Sequence, residues 1–267
     1  MYRVLTVSVV VVVLVACTVS PTGRRQLQLF PSGQIAEMGA AAFQSVREQM
    51  PVSDDPAVNR YVDCIAEAIT AQLDAEYADT EWEVLVFEED SANAFALPGG
   101  NIGVHTGLLQ VARNQDQLAT VIAHEVAHVI AEHANERVST AFATEAGLQL
   151  AQVLAGGPSD DRSQLMGLLG LGAQFGILLP FSRTQESEAD ILGLDLMARA
   201  GFDPRQSIRL WENMGRADGA HPPEFLSTHP SHGRRIDDLQ ERMPRALEYY
   251  EQAGAEGRRP QCPQPSD

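Results

Sequence analysis

Apolar residues recur along this chain at helical spacing in some stretches and in short continuous runs in others. The helical spacing predicts helices over three long stretches, residues 32–50, 56–73 and 141–154. A short apolar run predicts a strand over residues 82–87, and a second strand is predicted at Asn101–His105, after a turn at residues 98–100. The pattern therefore indicates a mainly α protein of the α+β class, with a small sheet or hairpin.

The first 16 residues have the pattern of an export signal. A positive charge at Arg3 precedes an apolar run over residues 4–15, which is shorter than the roughly 20 residues of a membrane-spanning helix. The run ends in Leu-Val-Ala before Cys17, and this resembles a bacterial lipobox. The resemblance implies cleavage before Cys17, attachment of lipid to its thiol and, because Thr18 follows, sorting to the outer membrane. The alternative is an ordinary signal peptide with an incidental cysteine.

The rest of the chain divides into three predicted parts. Residues 17–30 are predicted to be a lipidated tether, residues 31–248 a single domain, and residues 249–267 a C-terminal tail. No internal repeat of fixed period occurs. Export places Cys64 and Cys262, the two remaining cysteines, in an oxidising compartment, and this predicts a disulfide between them. Two separate thiols are the alternative.

Composition and charge exclude some functions. The chain is 44% hydrophobic, which is enough to bury a sizeable core. Its formal net charge of −17 argues against binding nucleic acid or an anionic membrane through a basic face. One apolar, glycine-rich stretch, residues 165–181, allows two interpretations. It is either a tightly packed helix or a segment that dips into the membrane or covers the site as a lid.

The strongest chemical signal is the motif His124-Glu125-Val126-Ala127-His128. On a helix, His124 and His128 share one face and can bind one zinc ion. Glu125 is rotated by about 100° from His124, so its carboxylate lies beside the ion and can take a proton from a water molecule that the metal activates. The apolar neighbours of the motif indicate a buried helix. The alternative is that both histidines are core residues with satisfied hydrogen bonds.

Zinc hydrolases of this kind add a carboxylate as the third ligand, and the helix capped by Ser182 offers two. Glu186 and Glu188 lie about 200° apart on that helix, so only one can face the metal. Glu186 shares its face with small residues that would let the two helices approach closely, so it is the predicted ligand, and Glu188 is predicted to be solvated. Asp190, one turn beyond Glu186, is predicted to accept the outer N–H of a zinc-bound histidine.

The pair of blocks His124–His128 and Glu186–Asp190 resembles the M48 metallopeptidases. Segments that resemble further blocks of this family extend over most of residues 22–240: 22–26, 93–100, 106–109, 201–204 and 228–236. The resemblance implies a zincin-like peptidase fold and agrees on Glu186 as a ligand. Without integral-membrane helices or helical repeats, the chain is most similar to the small periplasmic lipoprotein branch of the family.

The resemblance also implies further site residues. Asn93 and Gly100 would border the cleft, where an exposed strand edge could pair with an extended substrate chain. His229 and Arg235 match its downstream His-Pro and Arg positions. Two roles stay open for His229: donor to the developing oxyanion, or a fourth zinc ligand that makes the resting enzyme latent.

The remaining histidines are given no part in the chemistry. His105, at a strand end, is predicted to be structural. His133, His221 and His232 are predicted to be surface residues.

The functional hypothesis is a zinc endopeptidase on the periplasmic side of the outer membrane of a Gram-negative bacterium. Its membrane contact would be the lipid on Cys17. Its substrates would be misfolded or unassembled envelope proteins, which the resemblance implies. The rival hypothesis is a chaperone or assembly factor for outer-membrane proteins, in contact with their assembly machinery, whose protease site is silent. A third hypothesis, a structural zinc domain, would have no use for Glu125.

Overall fold

The protein is described by a computed structural model over residues 17–77, 79–154, 181–216, 224–230 and 233–265. The predicted signal peptide, most of the apolar stretch 165–181, and His221 and His232 lie outside these residues. No helix within the described ranges has the length and apolar character needed to cross a membrane.

Helices form most of the described chain. Nine α-helices are present in it: α1 (Ser32–Gln49), α2 (Pro56–Thr70), α3 (Thr106–Val111), α4 (Gln115–Ile130), α5 (His133–Leu154), α6 (Arg183–Ala200), α7 (Gln206–Arg216), α8 (Glu224–Thr228) and α9 (Arg235–Ala255). Five short strands accompany them: β1 (Cys17–Val19), β2 (Arg25–Leu27), β3 (Glu83–Phe87), β4 (Ala94–Leu97) and β5 (Asn101–His105). The predicted mainly α, α+β class is confirmed.

The strands form two small sheets. β1 and β2 pair antiparallel as an N-terminal hairpin. In the second sheet the order is β3-β5-β4, with β3 parallel and β4 antiparallel to the central β5. Gly99 and Gly100 both have positive φ, 93° and 91°, and form the turn from β4 into β5. A Cβ on Gly100 would lie 2.6 Å from the carbonyl oxygen of Glu81, so the turn requires glycine there.

Local caps set where the two central helices begin. Asn114 accepts a hydrogen bond from the backbone N–H of Gln117 at 2.9 Å and so caps α4. Ser182 and Gln185 form a capping box at the start of α6. Residues 117–128 of α4 are all buried. The main hydrophobic core surrounds this helix and draws on α2, α6, α7 and the inner face of the three-stranded sheet.

The segments predicted to be a tether and a C-terminal tail both contact the domain more closely than the sequence suggested. Residues 17–30, predicted to be a tether, contain the β1–β2 hairpin, and Gln26 from it donates a hydrogen bond to the backbone oxygen of Ala131 at 2.7 Å. At the other end α9 continues past residue 248 to Ala255, and Cys262 forms a disulfide with Cys64 of α2. The cysteine count had predicted this pairing.

Candidate active site

Four buried side chains converge at the centre of the fold: His124 and His128 of α4, Glu186 of α6, and His229, which follows α8. One potential ligand atom from each lies within 4.8 Å of those of the other three. Each of the four residues is at most 3% exposed. This buried group of three imidazoles and a carboxylate is called the ligand cluster below.

The spacing within the ligand cluster fits a zinc ion. The Nε2 atom of His124 lies 3.1 Å from Nε2 of His128 and 3.3 Å from Nδ1 of His229. Oε1 of Glu186 lies 3.4 Å from Nε2 of His128 and 3.1 Å from Nδ1 of His229. Four ligands placed tetrahedrally at zinc bond lengths of about 2.0–2.1 Å are about 3.3–3.4 Å apart. The donor set and its spacing therefore suit tetrahedral zinc.

Electrostatics at the cluster favour positive charge. Burial by itself lowers the pKa of His124, but the carboxylates of Asp190 and Glu186 outweigh it and raise that pKa to about 10. Burial raises the pKa of Glu186, while hydrogen bonds from His124, His128 and His229 lower it far below its ordinary range. The carboxylates thus stabilise a cation at this point, which is the condition for holding a divalent metal ion.

Close packing of α4 and α6 brings Glu186 to the histidines. A Cβ added at Gly193 would lie 2.9 Å from the backbone nitrogen of His124 and 3.0 Å from its Cα. The two helices therefore approach closely at the small residues that pointed to Glu186. The structure places Glu186, and not Glu188, among the histidines of the ligand cluster.

Asp190 and Arg235 support the cluster from the side of α6 and α9. Oδ1 of Asp190 lies 3.1 Å from Nδ1 of His124, as expected for a partner that orients a metal ligand. Arg235 donates from Nε to Asp190 at 2.7 Å and also donates to the carboxylate of Glu186. Its guanidinium packs over the ring of Trp211, 4.1 Å from the ring centre. The chain His124–Asp190–Arg235 is therefore fully inside the fold.

Glu125 lies beside the cluster in the position of a general base. Its Oε1 is 3.3 Å from Nε2 of His229, and its Oε2 accepts a hydrogen bond from the backbone N–H of Ala96 at 3.3 Å. Burial raises the pKa of this carboxyl, although the nearby His229 and His124 oppose the shift. A carboxylate with a raised proton affinity is better suited to accept a proton during catalysis.

His229 is held in the cluster by aromatic rings. It stacks on Phe225 with ring centres 4.3 Å apart and on Phe181 with ring centres 5.0 Å apart. Phe181 also stacks on His128 at 3.6 Å, and the guanidinium of Arg137 lies 3.7 Å above the Phe181 ring. Of the two roles open for His229, the position of its Nδ1 next to the ligand atoms of His124 and Glu186 has the geometry of a fourth ligand.

Two predictions about charged residues near the motif are wrong. His133, predicted to be on the surface, is fully buried, and its Nδ1 lies 2.8 Å from Nδ1 of His128. Glu188, predicted to be solvated, is only 4% exposed, because its side of α6 faces His133 and the N-terminal hairpin. Burial raises the Glu188 pKa, but hydrogen bonds from His133 and from Ser20, Thr22 and Arg24 of the hairpin lower it well below its usual range.

The predicted cleft residues line a groove of about 970 Å³ whose lining also includes Glu125, His128 and His229. Asn93 and Gly100 both lie along its wall. His105 lies outside the ligand cluster, with its Nδ1 2.8 Å from Oγ of Ser91 and its ring between aromatic neighbours, consistent with a structural role.

Sequence reasoning missed one set of residues around the site: Arg24, His133, Arg137 and Glu188. The available signal was the polar run after Ile130, where the apolar pattern of the motif helix ends but histidine and charged residues continue. Helical spacing could not use that signal, because a turn at Glu132 (φ 51°) separates His133 from the motif helix.

Comparison with known proteins agrees with the geometry. The family model described as "Peptidase family M48" matches residues 56–243. The mitochondrial metalloendopeptidase OMA1 of Schizosaccharomyces pombe is 41% identical over 171 residues, covering 63% of this chain and 49% of its own. The metalloendopeptidase OMA1 of Danio rerio is 35% identical over 241 residues, covering 85% of this chain and 50% of its own.

A bacterial relative is also similar over most of the chain. The beta-barrel assembly-enhancing protease of Escherichia coli K12 is 30% identical over 217 residues, covering 79% of this chain and 44% of its own. This chain therefore spans half or less of the length of these three relatives. The match to the family model and the similarity to these proteases show, in agreement with the buried ligand cluster, that the chain belongs to peptidase family M48.

Proposed function

We propose that this protein hydrolyses peptide bonds of misfolded or unassembled cell-envelope proteins on the periplasmic side of the outer membrane. The observation that carries the peptidase part of the proposal is the position of Glu125. Its carboxylate lies beside the ligand cluster of His124, His128 and Glu186 and also lines the groove. A structural zinc site would have no use for a buried carboxylate placed there.

The groove offers an extended chain a strand to pair with. β4 is an edge of its sheet. The backbone oxygen of Asn93, just before β4, accepts a hydrogen bond from the His105 N–H at 3.0 Å, so the backbone of Asn93 faces β5. Along an antiparallel strand, the backbone groups of successive residues point alternately toward and away from the neighbouring strand. The backbone groups of Ala94 and Ala96 therefore point away from β5, and the N–H of Ala96 is directed to Glu125. A substrate segment could add to this edge and place a peptide bond at the cluster.

The residues divide the chemistry between them. Bound zinc would supply Lewis acidity, which polarises a peptide carbonyl and makes a water molecule easier to deprotonate. His124, His128 and Glu186 would hold the ion. Glu125 would accept the proton of the attacking water and deliver it to the leaving amine. Asp190 would keep His124 in the orientation and tautomer that leave Nε2 free for the metal.

His229 supports a second proposal, that the resting enzyme is latent. Its Nδ1 occupies a fourth ligand position, which in catalytic zinc sites is open for water or substrate. A latent site also suits the alternative function, a chaperone or assembly factor for outer-membrane proteins whose protease is silent. The two functions differ in whether Glu125 is needed.

The envelope assignment has support of another kind. The lipobox-like residues before Cys17 support export and a lipid anchor, and Cys17 itself begins the first strand of the hairpin. One relative is named for enhancing β-barrel assembly, which supports envelope proteins as substrates and their assembly machinery as a partner. The OMA1 relatives are named as mitochondrial, so the envelope substrate is the part of the proposal that experiments must test first.

The deciding experiment is proteolysis of unfolded casein by wild type, Glu125→Gln and His229→Ala, with zinc quantified in all three. We expect Glu125→Gln to keep its zinc and to cleave casein about 10²–10⁴-fold more slowly than wild type. We expect His229→Ala to gain activity at unchanged zinc content. A loss of activity with zinc retained would instead make His229 part of the catalytic machinery. Full activity in Glu125→Gln, or wild-type protein without metal, would overturn the proposal.

The chaperone alternative is tested in cells. A deletion strain under envelope stress would be complemented with wild type or Glu125→Gln. Under the peptidase proposal the point variant behaves like the deletion. Rescue by Glu125→Gln would favour the chaperone.

A further inference from the structure

A chain of polar contacts connects the metal ligand His128 to the N-terminal hairpin. Nδ1 of His128 lies 2.8 Å from Nδ1 of His133, and Nε2 of His133 lies 3.1 Å from Oε2 of Glu188. Glu188 accepts a hydrogen bond from Nε of Arg24, in the hairpin, at 2.8 Å. His128, His133 and Glu188 are all buried. These contacts are called the relay below.

Only one placement of protons satisfies the relay when His128 binds metal through Nε2. That nitrogen must then have its lone pair free, so the proton of His128 is on Nδ1 and is donated to Nδ1 of His133. His133 must therefore be neutral with its proton on Nε2, from which it donates to Glu188. A protonated His133 would direct two N–H groups at each other. The relay thus fixes both the tautomer and the ring orientation of His128.

The hairpin supplies most of the remaining contacts of Glu188. The hydroxyls of Ser20 and Thr22 both donate to its Oε1. Arg24 is itself held in place, because its two terminal nitrogens form hydrogen bonds with both oxygens of Glu136 on α5. Glu188 therefore depends for its position on residues more than 160 positions away in the sequence.

The turn between α4 and α5 brings His133 under His128. Glu132 in this turn has φ 51°, a left-handed conformation that a non-glycine residue adopts at some cost. Gln26 of the hairpin donates to the oxygen of Ala131, the residue just before Glu132. The hairpin thus contacts the relay at Glu188 and also contacts the turn that positions His133.

We propose that His133, Glu188 and Arg24 are positioning residues for the metal ligand His128, so that the N-terminal hairpin is a structural part of the metal site. The inference rests on the assignment of His128 as a zinc ligand in the proposed function. It predicts that changes in the hairpin alter how tightly zinc is held, although no hairpin residue belongs to the ligand cluster.

The first test changes His133 and measures zinc affinity without substrate. Full-length protein would compete with a fluorescent zinc indicator, and the visible spectrum of the Co²⁺-loaded protein would report the ligand geometry. We expect His133→Leu to weaken zinc binding about 10–100-fold, the usual effect of losing a partner that orients a ligand. His133→Asn places an amide oxygen near the former Nδ1 and should restore most of the affinity and the wild-type Co²⁺ spectrum.

The second test uses the hairpin itself and has a matched control. Arg24→Met removes the guanidinium that holds Glu188, while Arg25→Met makes the same change at the next residue, which is exposed. We expect zinc affinity to fall about 3–10-fold in Arg24→Met, less than for a direct partner, and to stay at the wild-type value in Arg25→Met. If His133→Leu does not fold, this pair decides the question alone.

Two results would overturn the proposal: folded His133→Leu that binds zinc as tightly as wild type, or equal affinities in Arg24→Met and Arg25→Met. Failure of the proposed function looks different. In that case wild type itself binds no zinc, or His128→Ala retains it, or zinc-loaded wild type and His229→Ala both fail to cleave casein.

Discussion

The two histidines of the motif are supported in different ways, although they are adjacent on one helix face. His124 contacts a carboxylate directly, Asp190, whose other oxygen binds the buried Arg235. On the Nδ1 side of its ring, His128 contacts a second imidazole, His133, and His133 in turn contacts the carboxylate of Glu188. The cation that pairs with Glu188, Arg24, keeps 22% of its side chain exposed. The contacts behind His124 end inside the core, and the contacts behind His128 end at the N-terminal hairpin.

The difference shows how a symmetric pair of ligands can acquire unequal support. The support of His124 depends on residues of α6 and α9 that are buried with the core and cannot move independently of it. The support of His128 passes through a strained turn and ends in a two-stranded hairpin at the surface. We therefore expect loss of the buried cation behind His124 to destabilise the whole fold, and changes behind His128 to affect mainly zinc binding.

The largest effect is expected from Arg235→Met. This change removes a buried guanidinium and leaves the carboxylates of Asp190 and Glu186 without their cation, which costs about 3–5 kcal/mol. We expect the free energy of unfolding of the metal-free protein, measured in urea, to fall by that amount. Arg234→Met is the control, because the side chain of Arg234 is 81% exposed, and its stability should stay within about 0.5 kcal/mol of wild type. Equal free energies of unfolding for Arg235→Met and Arg234→Met would contradict the idea that the support of His124 is part of the core.

The contacts that support His124 could be predicted from the sequence because they follow the period of one helix. Glu186 and Asp190 are four residues apart, so one face carries both the ligand and the group that orients His124. The caps at Asn114 and Ser182 also follow local rules, and the cap at Ser182 appears where predicted. The strands at residues 83–87 and 101–105 were predicted from apolar pattern and turn residues within one residue of their bounds.

Sequence reasoning could not predict the contacts that support His128, for two physical reasons. The turn at Glu132 breaks the helical register, so the spacing of five residues from His128 to His133 does not predict their contact. Glu188 looked solvated because its partners lie in a segment that was predicted to be a tether. Contacts between residues far apart in sequence, made by polar groups without periodicity, leave no local signal.

The second-largest loss of stability is expected from Gly193→Ala, where α4 and α6 are in contact. In Gly193→Ala the new Cβ would lie 2.9–3.0 Å from backbone atoms of His124, so a helix must move, at a cost of about 1–3 kcal/mol. Thermal unfolding should show a lower melting temperature, and zinc binding should weaken because Glu186 moves with α6. Gly147→Ala, on α5 with open space around it, is the control and should be neutral or slightly stabilising. A Gly193→Ala protein as stable as wild type would show that the helices can separate freely.

Asp190→Asn should weaken zinc binding without large loss of stability. Each oxygen of Asp190 faces a nitrogen: Oδ1 lies 3.1 Å from Nδ1 of His124, and Oδ2 accepts a hydrogen bond from Nε of Arg235. An amide has only one oxygen, so its NH₂ group must face a donor on one side or the other. We expect zinc affinity to fall about 10–100-fold in the indicator competition, while the melting temperature of the metal-free protein changes little. An unchanged affinity would mean that Asp190 does not orient His124.

The smallest effect is expected from the matching change in the relay, Glu188→Gln. Here Oε2 must accept from His133 and Arg24, but Oε1 faces the hydroxyls of Ser20 and Thr22, which can donate or accept. The glutamine oxygen can therefore take the place of Oε2, and its NH₂ group can donate to the two hydroxyls. We expect zinc affinity within about fivefold of wild type, against the larger loss in Asp190→Asn. The same competition measures both variants, and equal losses would show that charge, and not the direction of hydrogen bonds, sets the support of the two histidines.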